Sequence, residues 1–171
     1  DGKLSRGLGD VYKRQMNNLI EWLPKNIPDD DETSIVHGDY RLDNMILKDN
    51  QVMGILDWEL STLGHPIADF SYHCLSWRTQ EAFWDQSKLK ELGIPNEREY
   101  MDMYCENTGK DLSKNWEFYM AFNMFKIAGI LQGILGRVRD GTASSKHAED
   151  RGMMVYPLSE AAWNTIKENL L

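Results

Sequence analysis

Three polar residues in one short segment have the types and spacing that chemistry would need. Asp39 follows His37 and Gly38, Asn44 stands five residues further on, and Asp57 thirteen residues after that. A carboxylate such as Asp39 can orient a hydroxyl group and accept its proton. The amide oxygen of Asn44 and the carboxylate of Asp57 are hard donors suited to Mg2+, which keeps part of its shell for water or phosphate. Together these are the parts of a metal-assisted phosphoryl transfer, in which the protein positions and neutralises. The same residue types also form turns at strand ends, where Asp and Asn are common.

Short strands would give these side chains rigid support. Ile35 and Val36 begin a strand-like run that ends at His37-Gly38-Asp39. Residues 44–47 and 52–56 are two more apolar runs, joined by an Asp49-Asn50 turn, and the second closes on Asp57. The spacing therefore predicts a small sheet or a pair of hairpins presenting polar residues at its ends. The rest reads as helix. Met16, Leu19, Ile20 and Leu23 lie at helical spacing before Pro24, and the acidic residues 29–32 read as a solvated loop. Ile67, Phe70, Cys74 and Leu75 predict a buried helical face behind Pro66. A loop holding Phe83 and Trp84 precedes a helix that runs to Gly93. Pro95-Asn96-Glu97 opens a capped helix that closes near Gly109. Residues 115–138 are the longest periodic stretch, with Trp116, Tyr119, Met120, Met124, Ile127, Ile130, Leu131, Ile134 and Leu135 on its apolar face. Val155, Leu158, Ala162 and Ile166 predict a last helix, kinked at Pro157. The expected fold class is α+β: a mainly helical body with a small β element carrying the polar loops.

The segment SIVHGDYRLDNMILKDNQVMGILDWELSTLGHPIADF resembles the catalytic and metal-binding loops of the aminoglycoside phosphotransferase superfamily, whose catalytic loop reads HGD where protein kinases read HRD. The resemblance implies a kinase-like phosphotransferase, with Asp39 as catalytic base, Asn44 and Asp57 as Mg2+ ligands, and ATP as phosphoryl donor. It also implies that Asp69 anchors the catalytic loop by accepting backbone hydrogen bonds, and that Glu59 supports the metal. Glu59 would face the same side as Asp57 if the chain stays extended. His37 reads as structural support beneath the loop. Arg41 would meet a phosphate or an anionic acceptor, or pair with a carboxylate, and Asp43 would supplement the local electrostatics.

The likeness continues through LGIP, NWEFYMAFNMFKIAGILQGILGRVRDGTASS and LSEAAW. These runs are similar to bacterial relatives of the kinase-like N-terminal domain of acyl-CoA dehydrogenase family members ten and eleven. That subgroup implies a small hydroxylated substrate of the hydroxyacyl-CoA kind, and fusion to an acyl-CoA dehydrogenase domain in the parent gene. Aminoglycosides or amino alcohols are the alternative acceptors, and a non-catalytic nucleotide-binding module is the alternative class. Arg78, Lys126, Arg137 and Arg139 could meet CoA phosphates or be ordinary surface residues. Trp116, Phe118, Tyr119 and Phe122 could line a pocket or belong to the core.

Composition narrows the partners. The 171 residues hold 19 Lys and Arg against 27 Asp and Glu, a formal net charge of -8, which offers no basic field for nucleic acid or an anionic membrane. No uninterrupted apolar run reaches the length of a membrane span. Two cysteines, Cys74 and Cys105, form no disulfide framework or metal spacing, and point to a reducing, cytoplasmic setting. Residues 1–15 lack either period, and 5–15 (SRGLGDVYKRQ) resemble a translated sequencing adapter. The expected domain is therefore 16–171 behind an artefactual or disordered leader, and without that leader the balance is still more acidic. No phosphate-covering glycine loop or strand lysine is found before Ser34. The resemblance thus implies the C-terminal lobe of a two-lobed enzyme, one that transfers phosphate poorly by itself.

Overall fold

The computed structural model describes residues 2–30, 32–79 and 86–167, the side chains of 2–11, 86 and 87 excepted. In chain order they form α1 (Gly2–Trp22), β1 (Ser34–Val36), β2 (Met45–Lys48), β3 (Gln51–Ile55), β4 (Thr62–Gly64), α2 (Ile67–His73), α3 (Gln86–Glu91), α4 (Glu97–Thr108), α5 (Trp116–Arg139), α6 (Ala148–Met153) and α7 (Val155–Lys167). This is the expected α+β arrangement, with the described strands confined to the segment that carries the polar loops. The chain divides into two compact units, 29–119 and 1–28 with 120–171.

In unit 29–119, β2 and β3 form an antiparallel hairpin with Lys48 opposite Gln51. Its two turn residues, Asp49 and Asn50, both have positive φ, 50° and 60°. A two-residue turn of that hand matches the twist of the flanking strands, and Asp and Asn tolerate it best after glycine. β1 pairs antiparallel with β4, Ser34 opposite Gly64 and Val36 opposite Thr62. This second ladder ties the start of the polar segment to its end. β4 was not among the three predicted runs, because Thr-Leu-Gly is too short to show alternation.

Ile67, Phe70, Cys74 and Leu75 are all buried, as their spacing predicts, although α2 ends at His73 and a 3₁₀ turn carries the last two. Asn96 caps α4 reciprocally with Glu99, and Gly109 closes it at φ 72°. Phe70 stacks on Tyr104 at 3.9 Å between ring centroids, and Tyr100 stacks on Trp77 at 5.3 Å. These contacts fix α2 against α4. The acidic stretch does more than face solvent: Asp30 meets His65 at 3.2 Å and Glu32 pairs with Lys110. The predicted loop at Phe83 and Trp84 lies outside the described residues; the helix before Gly93 is α3.

The other unit contains α1, α6, α7 and α5 from Met120 onward. Its first element corrects the expectation of a non-helical leader over 1–15, since the backbone is helical from Gly2. Tyr12, Met16, Leu19 and Leu23 form one buried stripe, and the Tyr12 ring meets Tyr156 of α7 edge-on at 5.4 Å. Packing of that stripe outweighs the poor helix preference of the glycines. Ile20, placed on the same face by spacing, is exposed. In α7 the four predicted core residues are buried. Pro157 lies in the first turn, where its missing N–H has no helical partner to lose, so the expected kink is replaced by a helix start. Ile130 of α5 is exposed, not apolar core. By length and composition α5 could cross a membrane. Its Met120, Asn123, Met124 and Ala128 are buried, although only about a third of its apolar stretch is.

Candidate active site

The site begins where β1 ends. Gly38 has φ 84°, and a Cβ there would lie 2.6 Å from the Leu60 carbonyl oxygen, so only glycine fits the turn. Asp69, in the first turn of α2, holds this turn with both carboxylate oxygens: Oδ2 accepts the His37 amide, and Oδ1 accepts the Gly38 amide at 2.8 Å. The imidazole of His37 is buried and fully engaged. Its Nδ1 accepts the Asp39 amide at 3.2 Å, so Nε2 carries the proton and donates to the Leu56 carbonyl at 2.7 Å. His37 is a brace between two loops.

Asp39 presents its carboxylate beyond that brace, with its side chain 23% exposed. Oδ1 accepts the Tyr72 hydroxyl at 2.6 Å. Oδ2 accepts from Asn44 Nδ2 at 2.9 Å, and the same nitrogen donates to the Asp39 carbonyl at 2.9 Å. Both amide hydrogens of Asn44 are therefore used, and its Oδ1 is left as the accepting atom. Asn44 sits at the end of a 3₁₀ turn, Leu42–Asn44, and its carbonyl accepts the Leu56 amide at 2.8 Å. Leu56 is thus held through its N–H by Asn44 and through its C=O by His37. That double hold fixes where the next residue, Asp57, emerges.

Asp57 is exposed, lies at φ 65° and ψ 54°, and makes no capping hydrogen bond. A non-glycine residue in this left-handed region costs roughly 1–2 kcal/mol and is common at functional loops. The chain then enters a 3₁₀ turn, Trp58–Leu60. It is not extended from Asp57 to Glu59, so alternation does not place Glu59 beside Asp57. Arg41 reaches Asp43 at 3.3 Å and Asp39 Oδ2 at 3.8 Å, with about half its side chain exposed. It pairs with carboxylates on its own loop. Arg78 is likewise engaged, bonded by Glu97 and Glu117. Arg139 pairs with Asp140. Trp116 and Tyr119 are core, whereas Phe122 is exposed.

Sequence reasoning missed Tyr72 and Leu56. Burial, and then the bond to the Asp39 carboxylate, push the Tyr72 hydroxyl well above its ordinary value, so it remains a proton donor. Asn44 Oδ1 and the Asp57 carboxylate are hard oxygens of the kind Mg2+ takes. No described cluster of three His, Cys, Asp or Glu residues competes with them. Such a pair fits Mg2+ whose remaining ligands come from phosphate and water rather than from a full protein cage.

Residues 3–104 match the model of the phosphotransferase enzyme family. The chain belongs to this family. Its kinase-like, aminoglycoside-phosphotransferase-type fold superposes on the crystal structure of a protein from Ralstonia eutropha JMP134 assigned as an aminoglycoside phosphotransferase. The TM-score is 0.80 at 44% identity, over 95% of this chain and 55% of that one. Mouse acyl-CoA dehydrogenase family member 10 is 44% identical over 156 residues, which is 87% of this chain and 15% of that protein. Human acyl-CoA dehydrogenase family member 11 is 40% identical over 152 residues, 85% of this chain and 20% of the relative. The chain therefore spans a small part of these curated relatives.

Proposed function

We propose that residues 16–171 serve as the C-terminal lobe of an ATP-dependent phosphotransferase acting on a hydroxyl group of a small molecule. Asp39 orients the acceptor hydroxyl and takes its proton as the new oxygen–phosphorus bond forms and ADP leaves. Asn44 Oδ1 and Asp57 would hold Mg2+, which when bound neutralises phosphate charge. His37 and Asp69 keep the loop rigid, so that little reorganisation accompanies the reaction. Asp43 and Glu59 add negative potential near the metal side, and Arg41 tempers it. The observation carrying this reading is the bonding of Asp39 to Asn44, which joins the proposed base and metal amide in one unit and leaves the amide oxygen as the accepting atom.

Kinship with acyl-CoA dehydrogenase family members favours a hydroxyacyl-CoA-like acceptor, and a dehydrogenase domain as fusion partner. Two free cysteines, one buried, fit a cytoplasmic setting. A second reading, an aminoglycoside or amino-alcohol acceptor, has the net charge of -8 and the Ralstonia relative in its favour. A screen decides between them. A longer protein containing residues 16–171 is incubated with γ-labelled ATP and hydroxyacyl-CoAs, aminoglycosides or small amino alcohols. Label on hydroxyacyl-CoA is expected; label only on the amines selects the second reading. Nucleotide binding with no transfer to any acceptor would assign a non-catalytic module instead.

A further inference from the structure

One face of α2 touches the catalytic loop residue by residue. Asp69, Tyr72 and His73 occupy positions i, i+3 and i+4, which share a helix face. Asp69 takes the amides of His37 and Gly38, and Tyr72 takes the Asp39 carboxylate. His73 lies against the Tyr40 backbone, its ring 5.5 Å from the Tyr40 ring. Asp69 and His73 act on the backbone. Tyr72 is the one of the three that bonds the Asp39 side chain, the candidate base.

We propose that Tyr72 is a positioning residue: its hydroxyl sets the orientation of the Asp39 carboxylate and, through it, that of the Asn44 amide. The inference rests on the reading of Asp39 as the base. A carboxylate on a short side chain rotates unless both oxygens are held; here Oδ1 accepts the Tyr72 hydroxyl, and Oδ2 accepts the Asn44 amide with Arg41 Nε 3.8 Å away. The Asn44 nitrogen bridges Oδ2 and the Asp39 carbonyl, so a rotation of Asp39 would release one of the two bonds that orient the Asn44 amide. Tyr72 thereby governs the base directly and the metal amide at one remove. A role for Tyr72 as proton acceptor is excluded by its chemistry, since a buried phenol facing a carboxylate keeps its proton. The backbone of the loop has independent support in Asp69 and His37, so loss of the hydroxyl frees the side chains without unmaking the turn.

The test uses the 171-residue chain, labelled with 15N and 13C, and needs neither substrate nor metal. In Tyr72→Phe, the Asn44 side-chain amide and the Asp39 carboxylate carbon should shift and broaden, while the His37 and Gly38 backbone amides keep their slow hydrogen exchange. Unchanged Asn44 and Asp39 signals would overturn the proposal. Loss of His37 and Gly38 protection along with them would also overturn it, because Tyr72 would then be a general structural support. The reciprocal variant, Asp39→Asn, should move the Tyr72 ring carbon that bears the hydroxyl; an unmoved carbon contradicts the pairing even if Tyr72→Phe does not fold. Neither result depends on turnover, so failure of the phosphotransferase reading would be seen separately, in the acceptor screen.

Discussion

Asp69 and Gly38 are 31 residues apart in sequence and joined by a 2.8 Å hydrogen bond from the Gly38 amide to Asp69 Oδ1. The second oxygen of the same carboxylate takes the His37 amide. One side chain at the start of α2 therefore fixes the turn that presents Asp39. Without that carboxylate, two partly buried N–H groups would lose these partners.

Asp69→Asn keeps the size of the side chain but offers one accepting oxygen, and turns an NH2 group toward the remaining amide. Hydrogen bonds to a charged group are each worth about 1.5–3 kcal/mol, so the expected loss of unfolding free energy is roughly 2 kcal/mol. Urea unfolding of the two chains at neutral pH measures it. A loss near zero would mean that the turn stands without Asp69.

Acid should weaken the fold through His73. Burial holds its imidazole below the ordinary 6.5, with the Tyr40 backbone hydrogen bond opposing in part. The native state therefore keeps His73 neutral in a range where the unfolded chain binds a proton. Stability contributed there is present above about pH 6.5 and is lost as pH falls toward the depressed native value, below which it changes no further. His73→Gln should flatten this part of the curve of unfolding free energy against pH between about pH 7 and pH 5. A variant curve parallel to that of the parent would refute the assignment.

Much of this was readable in advance where the cause is local. Asn96, Glu99 and Gly109 announce a helix and both its ends, and the structure places α4 between them. Asp49-Asn50 announces a tight hairpin, and both residues take positive φ. The short loops that present Asp39, Asn44 and Asp57 were legible because each follows or joins a strand-like run. Tyr72 was not, since its hydroxyl reaches Asp39 across 33 residues and lies in a run whose apolar spacing suggested only a buried face. Leu56 was hidden for a related reason: its role belongs to its backbone, which bonds Asn44 and His37 whatever side chain it carries. The helical start of α1 was misread because glycine content is a local signal, and the burial of Tyr12 against Tyr156 is not.

The most direct measurement is phosphoryl transfer by a longer protein containing this lobe, with Asp39→Asn compared against the parent. Asn is isosteric, and its oxygen can still accept from Asn44 while its NH2 turns the Tyr72 hydroxyl into an acceptor, but it cannot take the acceptor's proton. General-base catalysis contributes about 10²–10⁴-fold, so kcat should fall by about that factor while Mg-ATP affinity stays within about twofold. Unchanged kcat would contradict the account at its centre.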